Sequence, residues 1–134
     1  MIEHIQPAGL FPSTRLGFTQ VVTSPPGKLV FISGQVAWDS QLKLVGGDDV
    51  AAQAEKALEN VDTALAAAGA SRNDVTAVRV YIVDYRPEDA AKIGAPFARF
   101  FEDIEPPAST WIGVQALASP GLRIEIEVSA VVQS

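Results

Sequence analysis

The segment from Leu122 to Val132 constrains the fold more than any other stretch of this chain. It alternates without interruption, with Ile124, Ile126, Val128 and Ala130 on one face and Arg123, Glu125, Glu127 and Ser129 on the other. A strand of this kind belongs in a sheet with one face under a hydrophobic cover and the other left polar. The cover is supplied by two amphipathic helices. In the first, Val50, Ala54, Ala57, Leu58, Val61, Leu65 and Ala68 recur at three- and four-residue spacing, with Asp48 or Asp49 as N-cap and Gly69 as terminator. The second opens at Pro87, carries Glu88 and Asp89 in its first turn, and runs an apolar stripe through Ala90, Ile93, Phe97, Phe100, Phe101 and Ile104. Pro96 predicts a kink or restart near Gly94, and the phenylalanine stripe reads as core.

Further strands are predicted at Arg15 to Thr23, Lys28 to Trp38, Leu42 to Val45, Val75 to Tyr85 and Ser109 to Ala116. The first two are expected to form a hairpin across Ser24-Pro25-Pro26-Gly27. Along Ser109 to Ala116, the side with Ser109, Trp111, Gly113 and Gln115 reads as the polar one. The resulting order, β-β-β-α-β-α-β-β, is an α+β fold: a six-stranded mixed sheet with both helices on one face. Large residues such as Trp111 and Tyr81 on the open face are poorly placed in bulk water, so that face is expected to meet other subunits.

The 134 residues suit one domain, 1-134, that buries roughly two-thirds of the surface its unfolded chain exposes. No apolar run approaches the roughly 20 residues that span a bilayer, and Met1-Ile2-Glu3-His4 does not resemble a signal peptide, so the expected location is cytoplasmic. The chain has no cysteine and one histidine, His4, in a terminus expected to be mobile. Thiolate catalysis, sulfur-ligated zinc and a Ser-His-Asp triad therefore have no support, and no metal site is expected. A net charge of −6 without a basic run argues against nucleic acid as a partner.

Over nearly its whole length the chain resembles the RidA family, also called YjgF or L-PSP. The resemblance is carried by Leu16-Gly17-Phe18-Thr19-Gln20, Leu29 to Gln35, Gln53 to Leu65, Val78 to Asp84, Phe97 to Phe101, Pro106-Pro107-Ala108 and Ile124-Glu125-Ile126-Glu127. It implies a chorismate-mutase-like fold, a homotrimer whose sheets form a central barrel, and small-molecule clefts between subunits, with no cofactor and no membrane partner. The activity it implies is hydrolysis of reactive enamines and imines, with water adding to the C=N carbon and ammonia leaving.

The resemblance also assigns site residues. Glu125 matches the family carboxylate proposed to position water or the substrate nitrogen, and the backbone of Ser33-Gly34-Gln35 lines the pocket. At four positions the chain departs from the deaminase branch. Ser109 stands where an arginine holds the substrate carboxylate, Phe18 where a tyrosine is usual, Gly94 where an asparagine is common, and Trp111 where the residue is often small. Ser109 therefore marks a missing cation, and Trp111 a narrower, more aromatic cleft. Arg79, Arg15 and Arg123 are the candidates for a substitute anchor, and Glu127 reads as structural. The expected function is hydrolysis of small imines or enamines other than the usual 2-imino acids. A non-catalytic small-molecule-binding or protein-interaction trimer is the alternative, and a ribonuclease or translation-inhibitor activity is third.

Overall fold

The structure is a computed structural model that describes residues 1–133. Six strands are present: β1 (Glu3–Ile5), β2 (Val21–Thr23), β3 (Lys28–Gln35), β4 (Val75–Val83), β5 (Ala108–Val114) and β6 (Ile124–Val132). They form two sheets, not the single six-stranded sheet expected from the sequence: β1 pairs with β2, and the other four lie in the order β3-β6-β4-β5. The four-stranded sheet is mixed, with β6 antiparallel to both neighbours and β5 parallel to β4. Helices α1 (Val50–Ala67) and α2 (Asp89–Phe100) make the crossovers from β3 to β4 and from β4 to β5.

The alternation of β6 is realised as read. Ile124, Ile126, Val128 and Ala130 are buried with Val50, Ala54, Ala57, Leu58, Val61 and Leu65 of α1, while Glu125, Glu127 and Ser129 lie on the open face. Asp49 caps α1 by accepting from Ala51 N (2.9 Å) and Ala52 N (3.3 Å), and Gly69 follows the helix at φ +73°. Buried Gln53 ties α1 to the loops that precede α1 and β6: its amide donates to Gly47 O (2.6 Å) and Gly121 O (2.9 Å), and its oxygen accepts from Arg123 N (2.8 Å).

Several expectations are corrected. Residues 15–23 are not one strand, because a 3-10 turn at Ser13–Leu16 and Gly17 at φ +88° break the extension, leaving only Val21–Thr23. That remnant pairs with the N-terminal strand β1 instead of β3, whose ladder is taken by β6 from Lys28↔Val132 onward. His4 is therefore held in a strand, 3.8 Å from Glu105, and the N-terminus is not the loose end expected. Residues 42–45 make a single bridge, Trp38↔Leu44, because Leu42 turns left-handed at φ 63° around the Asp39 carboxylate, which accepts from Gln41 N and Lys43 N. Helix α2 begins at Asp89, not Pro87, and runs through Pro96 without restarting. Burial of Ile93, Pro96 and Phe100 offsets the one backbone bond that the proline forfeits.

Candidate functional site

The site residues predicted from the sequence fall into two groups, on opposite faces of the four-stranded sheet. The first group is Phe18, Gly94, Ser109 and Trp111, which together line a cavity of about 650 Å³. Their convergence follows from the register of β5. Ser109 lies opposite Val78 and Trp111 opposite Val80, so both side chains share the helix-covered face with those core valines. This reverses the expectation that Ser109 and Trp111 project onto the open face. Trp111 packs in an edge-on arrangement against Tyr85 (centroids 6.4 Å apart) and in a tilted one against Phe97 of α2 (6.0 Å).

The opposite wall, at Phe18, is fixed by hydrogen bonds. Buried Ser13 donates its hydroxyl to Phe18 O (2.7 Å), and Gln6 donates its amide to that same hydroxyl (2.9 Å). Thr19 donates its amide to Pro107 O (3.0 Å) and its hydroxyl to Pro106 O (2.5 Å). Prolines have no N–H to donate, so here the pair serves as two acceptors that hold the Phe18 loop against the start of β5.

The stripe assigned wholly to core is in fact divided. Ile93 and Phe100 are buried toward α1, while Phe97, Phe101 and Ile104 turn a side to the cavity. Sequence reasoning missed these three and Tyr85 as cavity residues. The signal was the width of the stripe, since Phe97 and Phe101 form their own i, i+4 row beside the row that packs on α1. At Gly94 an added Cβ would meet no atom within 4 Å, so the cavity reaches the helix backbone there.

The second group is Ser33, Gly34, Gln35 and Glu125. Between Ile32↔Val128 and Gln35↔Ile126 the register shifts by one residue, a β-bulge at Ser33-Gly34. The bulge brings Gly34 against Glu125, and a Cβ at Gly34 would overlap Oε2, Cδ and Cγ of that glutamate. Gln35 closes the bulge by donating its amide to Ser33 O (3.0 Å).

The two glutamates of β6 differ in their partners. Glu127, as expected of a structural residue, accepts from the Tyr81 hydroxyl (3.0 Å), and this bond together with desolvation pushes the Tyr81 phenol above its ordinary value. Among the described residues Glu125 has no hydrogen-bond or ion-pair partner, although Tyr81 lies directly across from it in the ladder. None of the candidate substitute anchors reaches the cavity. Arg123 is held at Asp48 (3.1 Å to its O, 3.2 Å to Oδ1), Arg79 lies on the open face opposite Glu127, and Arg15 is exposed on the 3-10 turn. Among the described residues that line the cavity there is no Arg, Lys or His.

Residues 11–132 match the protein family described as Endoribonuclease L-PSP. A 2-iminobutanoate/2-iminopropanoate deaminase of Salmonella typhimurium is 35% identical over 107 residues, which is 78% of this chain and 80% of that protein. Among solved structures, YyfB of Yersinia pestis, a protein of unknown function of the conserved Rid family, superposes with a TM-score of 0.94 at 41% identity, covering 98% of each chain. E. coli TdcF with bound serine superposes with a TM-score of 0.71 at 30% identity, covering 85% of this chain and 93% of that one. The chain belongs to the RidA/YjgF family, with reactive-intermediate deaminases among its relatives.

Proposed function

From that membership we propose that the protein hydrolyses small reactive imines or enamines that carry no α-carboxylate, in a homotrimer whose sites are shared between subunits. The observation that carries this reading is the distribution of charge. The cavity holding Ser109 has no cationic lining among the described residues, and the partnerless carboxylate of Glu125 stands on the other face of the sheet. A carboxylate-bearing substrate in such a cavity lacks the bidentate, charge-assisted contact that an arginine supplies. A neutral substrate has no such requirement.

Because the sheet separates Glu125 from the cavity of its own subunit, a joint site takes Glu125 from a neighbouring copy. In that arrangement the carboxylate faces the iminium form of the substrate. It stabilises the cation, orients water for addition to the C=N carbon and takes up the proton that the water sheds, giving a neutral carbinolamine. Proton transfer from the new hydroxyl to nitrogen then lets the C–N bond break, releasing ammonia and the carbonyl compound.

The test is ammonia release from freshly generated neutral imines and from 2-imino acids. We expect acceleration over buffer for neutral imines, with 2-imino acids turned over more slowly, and a loss of about 100-fold or more in Glu125→Gln. No acceleration for any imine overturns the enzymatic reading, and saturable binding without turnover assigns the cavity to a carrier or sensor.

A further inference from the structure

The lining of the cavity narrows the ligand further. Five of the chain's ten aromatic residues, counted as six Phe, two Tyr and two Trp, face it: Phe18, Tyr85, Phe97, Phe101 and Trp111. A volume of about 650 Å³ lies inside the range of roughly 300–1,000 Å³ typical of small-molecule sites. Its polar side-chain groups are the hydroxyls of Ser109 and Tyr85 and the indole N–H of Trp111, and none has a hydrogen-bond partner among the described residues. The half-buried Ser109 hydroxyl is thus an unused donor and acceptor set into an apolar wall.

Gly94 adds an independent observation. It sits inside α2, where glycine lowers helix stability, and its backbone is not in the left-handed region that favours glycine. What its missing side chain provides is space, opening the wall of the cavity opposite β5.

We propose that this cavity selects an uncharged, ring-bearing imine or the matching carbonyl compound, with the ring against Trp111, Phe97 and Phe101 and the C=N or C=O group at the Ser109 hydroxyl. Aromatic walls set at an angle to one another favour a flat ring over a flexible chain, and the Trp111 surface left partly exposed is the surface such a ring covers. The absence of a lining cation disfavours the same ring bearing a carboxylate, whose desolvation goes uncompensated. The inference rests on the proposed function only for the C=N chemistry, since the ring preference is a statement about binding.

Calorimetric titration of the full chain with acetophenone, phenylglyoxylate and 2-butanone tests it. Acetophenone has the ring and no charge, phenylglyoxylate adds a carboxylate, and 2-butanone has neither ring nor charge. Saturable acetophenone binding, with the other two at least about 10-fold weaker, is the expected result. Gly94→Leu should weaken acetophenone binding by about 10-fold or more while the thermal midpoint holds or rises, because leucine is the better helix former and the space is open. Acetophenone bound no tighter than 2-butanone, or unaffected by Gly94→Leu, overturns the inference, as does a cavity that takes up none of the three. Acetophenone binding without ammonia release from any imine overturns the proposed reaction and leaves the ring-binding site standing. Ammonia release with no preference for ring-bearing imines does the reverse.

Discussion

Glu125 stands where it does because the residue facing it, Gly34, has no side chain. One methyl group at Gly34 overlaps the glutamate from Cγ to Oε2, so the flexible Glu125 side chain must shift to admit it. Gly34→Ala should therefore reduce imine hydrolysis nearly as much as Glu125→Gln does, while urea unfolding shifts by no more than about 1 kcal/mol. Wild-type turnover in Gly34→Ala would show that the position of Glu125 does not matter. Much at this scale was legible in the sequence: the two-residue spacing put Glu125 and Glu127 on one face, although the partner of Glu127 is the Tyr81 hydroxyl and not a strand arginine. The direction in which Ser109 and Trp111 point was not. Alternation along β5 defines two faces, but only its register against Val78 and Val80 decides which face meets the helices.

Among the elements, the turn before β4 is tied to α1 and α2 by one side chain. Arg72 donates from Nε to Asp62 Oδ1 (3.0 Å), from Nη2 to Asp62 Oδ2 (2.8 Å) and from Nη1 to Phe100 O (2.9 Å), with its guanidinium carbon 4.1 Å from the centre of the Phe100 ring. The hydrogen bond from Arg72 is the main cause holding the Asp62 carboxyl below its ordinary 3.8. A depressed carboxyl stabilises the fold above that value and ceases to do so as the pH falls below it, when the folded form must take up the proton. Asp62→Asn is thus expected to lower stability at pH 7 by up to about 1 kcal/mol, the pair being half-exposed. The gap from wild type should narrow in urea unfolding as the pH falls below the ordinary carboxyl value of 3.8; a gap that stays constant with pH assigns the effect to packing. Helix α1 was legible because cap, stripe and terminator agree from Asp49 to Gly69. The short strands β1 and β2 were not, since three residues carry too little pattern to name a partner. The turn at Leu42 depends on an Asp39 side chain that periodicity does not register.

In the whole molecule, no helix among the described residues is long and apolar enough to cross a membrane, yet the open face of the sheet carries Leu29 (64% exposed), Phe31 (79%) and Ile112 (41%). Apolar side chains on that face, around the polar centre of Arg79, Tyr81, Glu125 and Glu127, are what a neighbouring copy would cover. The two faces of the sheet could be read from β6 alone. That the candidate site is divided between them could not, because it depends on how β5 pairs and on the cavity that α2 and the Phe18 loop complete. The central claim is that one copy supplies the cavity and another supplies Glu125. Coexpression of Glu125→Gln and Gly94→Leu chains, each expected to keep no more than about a tenth of wild-type activity alone, tests it most directly. Mixed assemblies should recover about a quarter of wild-type ammonia release, the share of interfaces that join an intact cavity to an intact Glu125 in a randomly assembled ring. Mixed assemblies no more active than either variant alone would contradict the shared site.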